Sequence, residues 1–440
     1  MPTGYVRHVI DGPVSVEHLF RWLATAQDTV FWLDDSLAET VSYLGWGEPV
    51  EADATSTDGD WAVLAIDEAG ALPVSRVGWL SYSERAETLG VQVVSNPDDR
   101  TRILRVECAV EVDHRTGQVA VIAESWTPAT MSFRDDVIAW AAADRDNPDA
   151  LVPTAEAAVA FVATWADTPE QYAEMIEVCR EHIRNGDVYQ VCLTTQATVP
   201  GVFDPVEVYL RLRAAAPTRT SGFIRIDGIA LLSASPEVFV TVDDGTVTTK
   251  PIKGTRPRST DPTADAAAAE ELRGNVKERA ENLMIVDLSR NDLSRIADPA
   301  SVTVPSLFDV ESYSTVHQLV STVQAHVNPG TRMSDVVRAM FPAGSMTGTP
   351  KRRATQILAE LEAGERGIYS GAFGRVGAGS MALAMTIRTI VITADGARLG
   401  VGGGLTIDSV AADEVREVGF KARALLAALD ASPNPFLTER

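Results

Sequence analysis

After a polar stretch at 145–153, RDNPDALVP, strand and helix signals follow one another without a regular alternation. A doubly wound parallel sheet needs a helix between successive strands. The irregular order therefore predicts a mixed α/β (α+β) body with two sheets. The helix signals are well punctuated. In TPEQYAEMIEVCREHIRNGD, Thr168 stands at the N-cap, Pro169 at the first helical position and Gln171 where a capping box needs it. Tyr172, Met175, Ile176, Cys179 and Ile183 recur at helical spacing, and Asn185-Gly186 ends the run. VYQVCLTT alternates as a strand, and FVTVDDGTVTTK reads as a hairpin about Asp244-Gly245. Further helices are expected at about 263–290, 350–362 and 411–429. Upstream, YVRHVI, TVFWLD and GQVAVIAE read as strands among short helices, and the turn cluster near 96–102 reads as a loop. The polar stretch is the expected boundary between an N-terminal region, 1–150, and a larger region, 151–440.

A chain of 440 residues is too long for one ordinary core. With 45% apolar and 22% charged residues it is globular. Its 38 basic and 61 acidic side chains give a formal charge of −23, which disfavours nucleic acid or an anionic membrane as partner. A small anionic substrate stays compatible if cations are concentrated locally. Cys108, Cys179 and Cys192 are far apart and form neither a zinc spacing nor a disulfide framework. No apolar run has membrane-spanning length and no secretory pattern opens the chain, so a reducing cytoplasm is expected.

TVTTKPIKGTRPR gathers Lys250, Lys253, Arg256 and Arg258 in this acidic chain. Two helices each carry carboxylates three residues apart, Glu278 with Glu281 and Glu414 with Glu417. That spacing puts each pair on one helical face. Each reads as a solvated surface or as half of an oxygen cage for Mg2+. LGVGGGLTIDS places Gly400, Gly402, Gly403 and Gly404 between a strand and a helix, either as a plain turn or as backbone that can approach an anion. Without a lysine and hydroxyl straight after it, it is no nucleotide loop. In FPAGSMTGTPKRRATQILAELE, Thr349 can cap and Pro350 fits the first turn, while Gly344, Ser345, Thr347 and Gly348 offer donors upstream. Lys351 and Arg352 oppose the helix macrodipole and so imply an acidic neighbour or ligand. Arg388, within LAMTIRTIVI, which reads as a strand of apolar character, needs a carboxylate, from a ligand or from the protein itself.

The ordered segments SASPEVF, PIKGTRPR, ENLMIVDLSRNDLSRI, VHQLVSTV, FPAGSMTGTPKRRA, GIYSGAFG, TIRT and GGGLTIDS...DEVREVGFKA resemble the chorismate-utilising enzymes. The match is close over about 165–430 and looser upstream, through FWLDDS. The resemblance implies a large two-sheet α/β sandwich with the active site in the cleft between the sheets. It implies Mg2+ held by Glu281 and Glu417, with Glu278 and Glu414 in support. Arg388, Tyr369, Lys421 and the backbone of Gly402 and Gly403 would hold the carboxylates of chorismate, with Thr255 close to the substrate and Gln318 lining the site.

Within that family the chain is most similar to the aminodeoxychorismate synthase component I branch, of the p-aminobenzoate and folate pathway. Isochorismate and salicylate synthases carry a lysine base on the strand equivalent to VYQVCLTT, where this chain has Gln190 and no lysine. Anthranilate synthases carry alanine where this chain has Lys253. Many of them also place a histidine at the position of Gln318; His317 is one residue off, which turns it to the other face of a strand. The resemblance implies that Lys253 attacks C2 of chorismate, that Glu237 protonates the departing C4 hydroxyl, and that ammonia then adds at C4. None of the three cysteines has the glycine-flanked setting of a glutaminase nucleophile, so ammonia is expected from a separate glutamine amidotransferase subunit. Asp34 and Asp35 break the tryptophan-binding segment that anthranilate synthases carry near FWLDDS. The alternatives are an anthranilate synthase component I and a catalytically silent regulatory paralogue.

Overall fold

The computed structural model describes residues 4–50, 70–94, 96–146, 160–313 and 316–437. The expected boundary at 150/151 lies outside the described residues. Among those described, twelve strands form one sheet and ten a second. The first runs Val6–Val9, Gln118–Ala123, Cys108–Asp113, Val41–Gly45, Val30–Asp34, Thr220–Ile226, Ile229–Ser235, Thr389–Thr393, Gly396–Leu405, Gln190–Pro200, Thr164–Trp165. The two-residue bridge Gly348–Thr349 joins it at Gln190–Val191. The second runs Ile252–Pro257, Val316–His326, Thr246–Thr249, Val238–Asp243, Ser380–Met385, Ala372–Gly377, Arg76–Leu80, Arg102–Arg105, Glu48–Pro49, with Thr303–Ser312 on Val316–His326. The two sheets expected from the sequence are present, and pairing within both is antiparallel.

Period-two burial builds the layers. Leu232, Ile390 and Ile392 face one way, into a core shared with helices Val16–Ala26, Pro169–Arg184, Pro205–Ala215 and Ala411–Ala428. Leu231 and Val391 face the other way, against Val77, Trp79, Phe373 and Ala384 of the second sheet. The far face of the second sheet, through Val240, Val242 and Val323, packs on helices Val276–Leu293 and Met333–Met340. The order is helices, sheet, sheet, helices. Phe20, Trp32, Tyr209 and Phe223 pack together in the outer core, Phe20 tilted on Trp32 and edge-on to Tyr209 and Phe223, and Trp32 edge-on to Tyr209. Each such buried ring contributes about 1.5–3 kcal/mol, and together they fix two helices on the sheet.

The local expectations are met at Thr168, whose capping box with Gln171 is complete, and at the Asp244-Gly245 hairpin. Three differ. The helix expected at 263–290 is two, Pro262–Gly274 and Val276–Leu293, because Asn275 restarts the chain as an N-cap whose side chain accepts from the Glu278 N–H. Thr349 is not a cap: it pairs with Gln190, and Pro350 takes the capping position of helix Lys351–Leu361. The glycine run is not a turn but lies inside the strand Gly396–Leu405.

Candidate active site

Strand Ile252–Pro257 pairs with Val316–His326, but the register slips: Ile252 stands opposite Val320 and Thr255 opposite Gln318. The extra residue makes a β-bulge at Lys253-Gly254, where Gly254 has φ +80. A bulge re-aims a side chain. Here it sends Lys253 to the other sheet, where a Cβ on Gly404 would stand 2.8 Å from Nζ. A side chain at that position would push the amine aside. Lys253 Nζ lies 3.6 Å from Glu281 Oε2, with both side chains largely buried. The bulge is clamped from behind. Asn282 Nδ2 donates to Pro251 O at 3.0 Å, the Ser321 N–H donates to the same carbonyl, and Ser321 Oγ donates to Asn282 Oδ1. Lys250 pairs with Glu311 and Arg258 with Asp265, while Arg256 pairs with Glu271 and also stands 3.6 Å from Glu278. Burial acts to lower the Lys253 pKa, but Glu281, with Glu237 and Glu417, outweighs it, and the ammonium is held above its ordinary value.

The four glutamates come from helices Val276–Leu293 and Ala411–Ala428, and Lys277 feels Glu278, Glu414 and Glu417 while standing 3.9 Å from Glu281. Burial, then the neighbouring Glu281, raises Glu278; burial and Glu417 raise Glu414 against a hydrogen bond from Ser409. Lys421, 2.7 Å from Glu417, holds that carboxyl low. Among the described residues no three acids already stand together as a ligand set. The donors nevertheless suit a hard divalent cation. They are all carboxylates, two of them are raised by burial and then by a neighbouring carboxylate, and Gly403 leaves room where a Cβ would lie 3.3 Å from Glu414 Oε2.

Glu237 follows the strand end at Ser235 and accepts from Ser345 Oγ at 2.8 Å. Burial raises its carboxyl, opposed by Ser345, Lys253 and Lys421. Arg388 is not within a strand. It links Ser380–Met385 to Thr389–Thr393 with φ +48, exposed, and its guanidinium has no hydrogen-bond or ion-pair partner among the described residues. Glu417 attracts it at longer range. Strand Thr389–Thr393 pairs with the glycine strand only as far as Ile390 opposite Leu399. Beyond it, Gly402 and Gly403 keep one edge without a partner strand among the described residues, and Lys421 Nζ donates to Gly402 O at 2.7 Å. An unpaired arginine beside an open backbone edge is suited to a carboxylate.

Tyr369 is buried with its ring on Gly400. Thr255 and Gln318 face each other across their ladder, and neither side chain bonds to Lys253 or the glutamates among the described residues. His317 turns to the helix side and bonds Ser312 and Asp265, so alternation points Gln318 the other way. Asp34 pairs with Arg213 and Asp35 accepts from the Glu39 and Thr40 N–H groups, so both serve the fold. Lys351 meets the acidic neighbour its position implied, Asp292, at 2.7 Å. Sequence reasoning singled out neither Lys277 nor the Asn282 clamp; Lys277, directly before the Glu278 pair, was the available signal.

A family profile described as chorismate binding enzyme matches residues 29–427. The aminodeoxychorismate synthase of Streptomyces pristinaespiralis is 40% identical over 361 residues, 80% of this chain and 50% of that protein. Anthranilate synthase component 1 of Streptomyces coelicolor is 36% identical over 369 residues, 80% of this chain and 72% of that protein. The crystal structure of anthranilate synthase component I from Streptococcus pneumoniae superposes with a TM-score of 0.73 at 26% identity, covering 97% of this chain and 92% of that one. The chain spans about half the length of the first of these relatives.

Proposed function

This chain belongs to the chorismate-binding enzyme family, and on that premise we propose that it is the chorismate-aminating component of an aminodeoxychorismate synthase. It makes 4-amino-4-deoxychorismate from chorismate and ammonia, for p-aminobenzoate and folate. The observation that carries this reading is Lys253, aimed across the cleft at Gly404 and 3.6 Å from Glu281. Lys253, after giving its ammonium proton to solvent, attacks C2 and forms a C2–N bond. The ring double bonds shift, and the C4–O bond breaks as Glu237 protonates the oxygen, which leaves as water. Ammonia then forms the C4–N bond while Lys253 leaves C2, and the enolpyruvyl ether is kept. Arg388, Tyr369, Lys421 and the Gly402 and Gly403 backbone hold the carboxylates, with Thr255 and Gln318 at the margin. Glu278, Glu281, Glu414 and Glu417 would hold Mg2+, which when bound supplies the charge that neutralises the ring carboxylate.

Ammonia comes from a separate glutamine amidotransferase. In support, all three cysteines are buried, and burial pushes the Cys108 and Cys179 thiols up to about 12, away from a nucleophilic thiolate. Unpaired cysteines also suit a cytoplasmic location, and no described helix is long and apolar enough to cross a membrane.

Product identity tests the reading. Chorismate, Mg2+ and ammonium should yield 4-amino-4-deoxychorismate without pyruvate. Fluorescent anthranilate with pyruvate would make the chain an anthranilate synthase, the reading favoured by the Streptomyces coelicolor relative. Absence of turnover with any ammonia source would leave a regulatory paralogue. In the same assay Arg388→Ala should raise KM for chorismate roughly ten- to hundredfold, the loss of about 1.5–3 kcal/mol of charged hydrogen bonding. An unchanged KM would place the substrate carboxylate elsewhere.

A further inference from the structure

Ser345 lies in the short 3-10 turn Gly344–Met346, between helix Met333–Met340 and the bridge Gly348–Thr349. The turn is held on several sides. Arg366, buried, donates to Met346 O at 2.6 Å, and Thr347 Oγ1 donates to Ala343 O at 3.0 Å. Lys351 Nζ donates to Met340 O at 2.9 Å just upstream, and Leu288 packs under Gly344. Against this fixed backbone the Ser345 hydroxyl donates to Glu237 Oε1 at 2.8 Å. A carboxylic acid has one proton, and an oxygen already accepting a hydrogen bond is the poorer place to carry it. We propose that Ser345 is a positioning residue, which by donating to Oε1 keeps the transferable proton of Glu237 on Oε2. The proposal rests on the reading of Glu237 as the acid that protonates the departing C4 hydroxyl, leaving itself a carboxylate as the C4–O bond breaks and water departs.

The charged groups acting on Glu237 are Lys253, from the bulged strand, and Lys421, from the Ala411–Ala428 helix. Burial raises the Glu237 carboxyl and the Ser345 hydrogen bond opposes that rise. Removing the hydroxyl therefore lets Glu237 keep its proton to higher pH. An acid that must be protonated to act loses rate as pH rises through its pKa, so the falling limb of the rate profile moves upward.

The test is the pH profile of kcat for the full chain with chorismate, Mg2+ and ammonium, in wild type, Ser345→Ala, Ser345→Thr and Glu237→Gln. Ser345→Ala should lower the plateau roughly tenfold and move the falling limb up by about one pH unit. KM for chorismate should stay within about twofold. Ser345→Thr, which keeps the hydroxyl, should restore both. A plateau and limb equal to wild type overturn the proposal, as does a lowered plateau with an unmoved limb that threonine fails to rescue. Glu237→Gln separates the two assignments. If it turns over at the wild-type rate, the acid assignment falls and this one with it. If it is inactive while Ser345→Ala behaves as wild type, only the Ser345 assignment falls.

Discussion

Lys253→Ala is expected to abolish the proposed C4 amination, with kcat/KM falling at least about 10³-fold, some 4 kcal/mol of transition-state stabilisation. The bulge delivers this one amine to Gly404 and Glu281, while Lys250 is engaged with Glu311, Arg256 with Glu271 and Glu278, and Arg258 with Asp265. None of those can move in as a substitute without leaving a carboxylate unpaired. Lys253→Arg should fail equally, because a guanidinium does not deprotonate and cannot attack carbon. Intact-mass measurement during turnover adds an independent readout. Wild type should show a substrate-derived adduct that the alanine variant lacks. Amination at the wild-type rate by Lys253→Ala would end the covalent reading and leave the amine an electrostatic role.

Gly254→Ala is the second large effect. Gly254 has φ +80, a conformation that costs an L-residue about 1–2 kcal/mol. Space is lacking as well: a Cβ would meet Glu278 Cδ at 2.8 Å, Glu278 Cγ at 2.9 Å and Leu272 Cδ1 at 2.8 Å. Relief comes either by displacing Glu278 or by flattening the bulge. The first moves a proposed metal carboxylate and the second withdraws Lys253 from Gly404. Turnover should therefore drop about 10²-fold or more while stability falls only about 1–3 kcal/mol. Activity assays beside a thermal melt distinguish this from simple unfolding. Wild-type kcat/KM in the alanine variant would show that the bulge does not set the position of the amine.

Local signals carried far in this chain because several are self-contained. The Thr168–Gln171 capping box and the Asp244-Gly245 hairpin need only neighbours in sequence, and both formed as read. The glutamate pairs were visible for the same reason, since a three-residue spacing fixes a helical face. What escaped was set by partners far along the chain. Glycines disfavour strands, yet Gly396–Leu405 is one, because Gln190–Pro200 pairs along its length and Lys253 and Tyr369 need the room. Arg388 looked like a strand residue because nothing local announces a positive φ in arginine. The bulge that aims Lys253 exists only in the register with Val316–His326. Ser345 was visible as a hydroxyl, but its partner stands 108 residues away.

The amine is carried by one layer and the surface it reaches belongs to the other, so the proposed catalysis doubles as a gauge of how the layers mate. A lateral slip of a single residue, about 3.3 Å along a strand, would leave Nζ short of its target with every ladder bond intact. The grip that prevents such a slip is interlayer, through Phe31, Trp79, Phe373 and Val391. Substitutions at those buried contacts, remote from any substrate, would be felt as detuned chemistry before they were felt as melting.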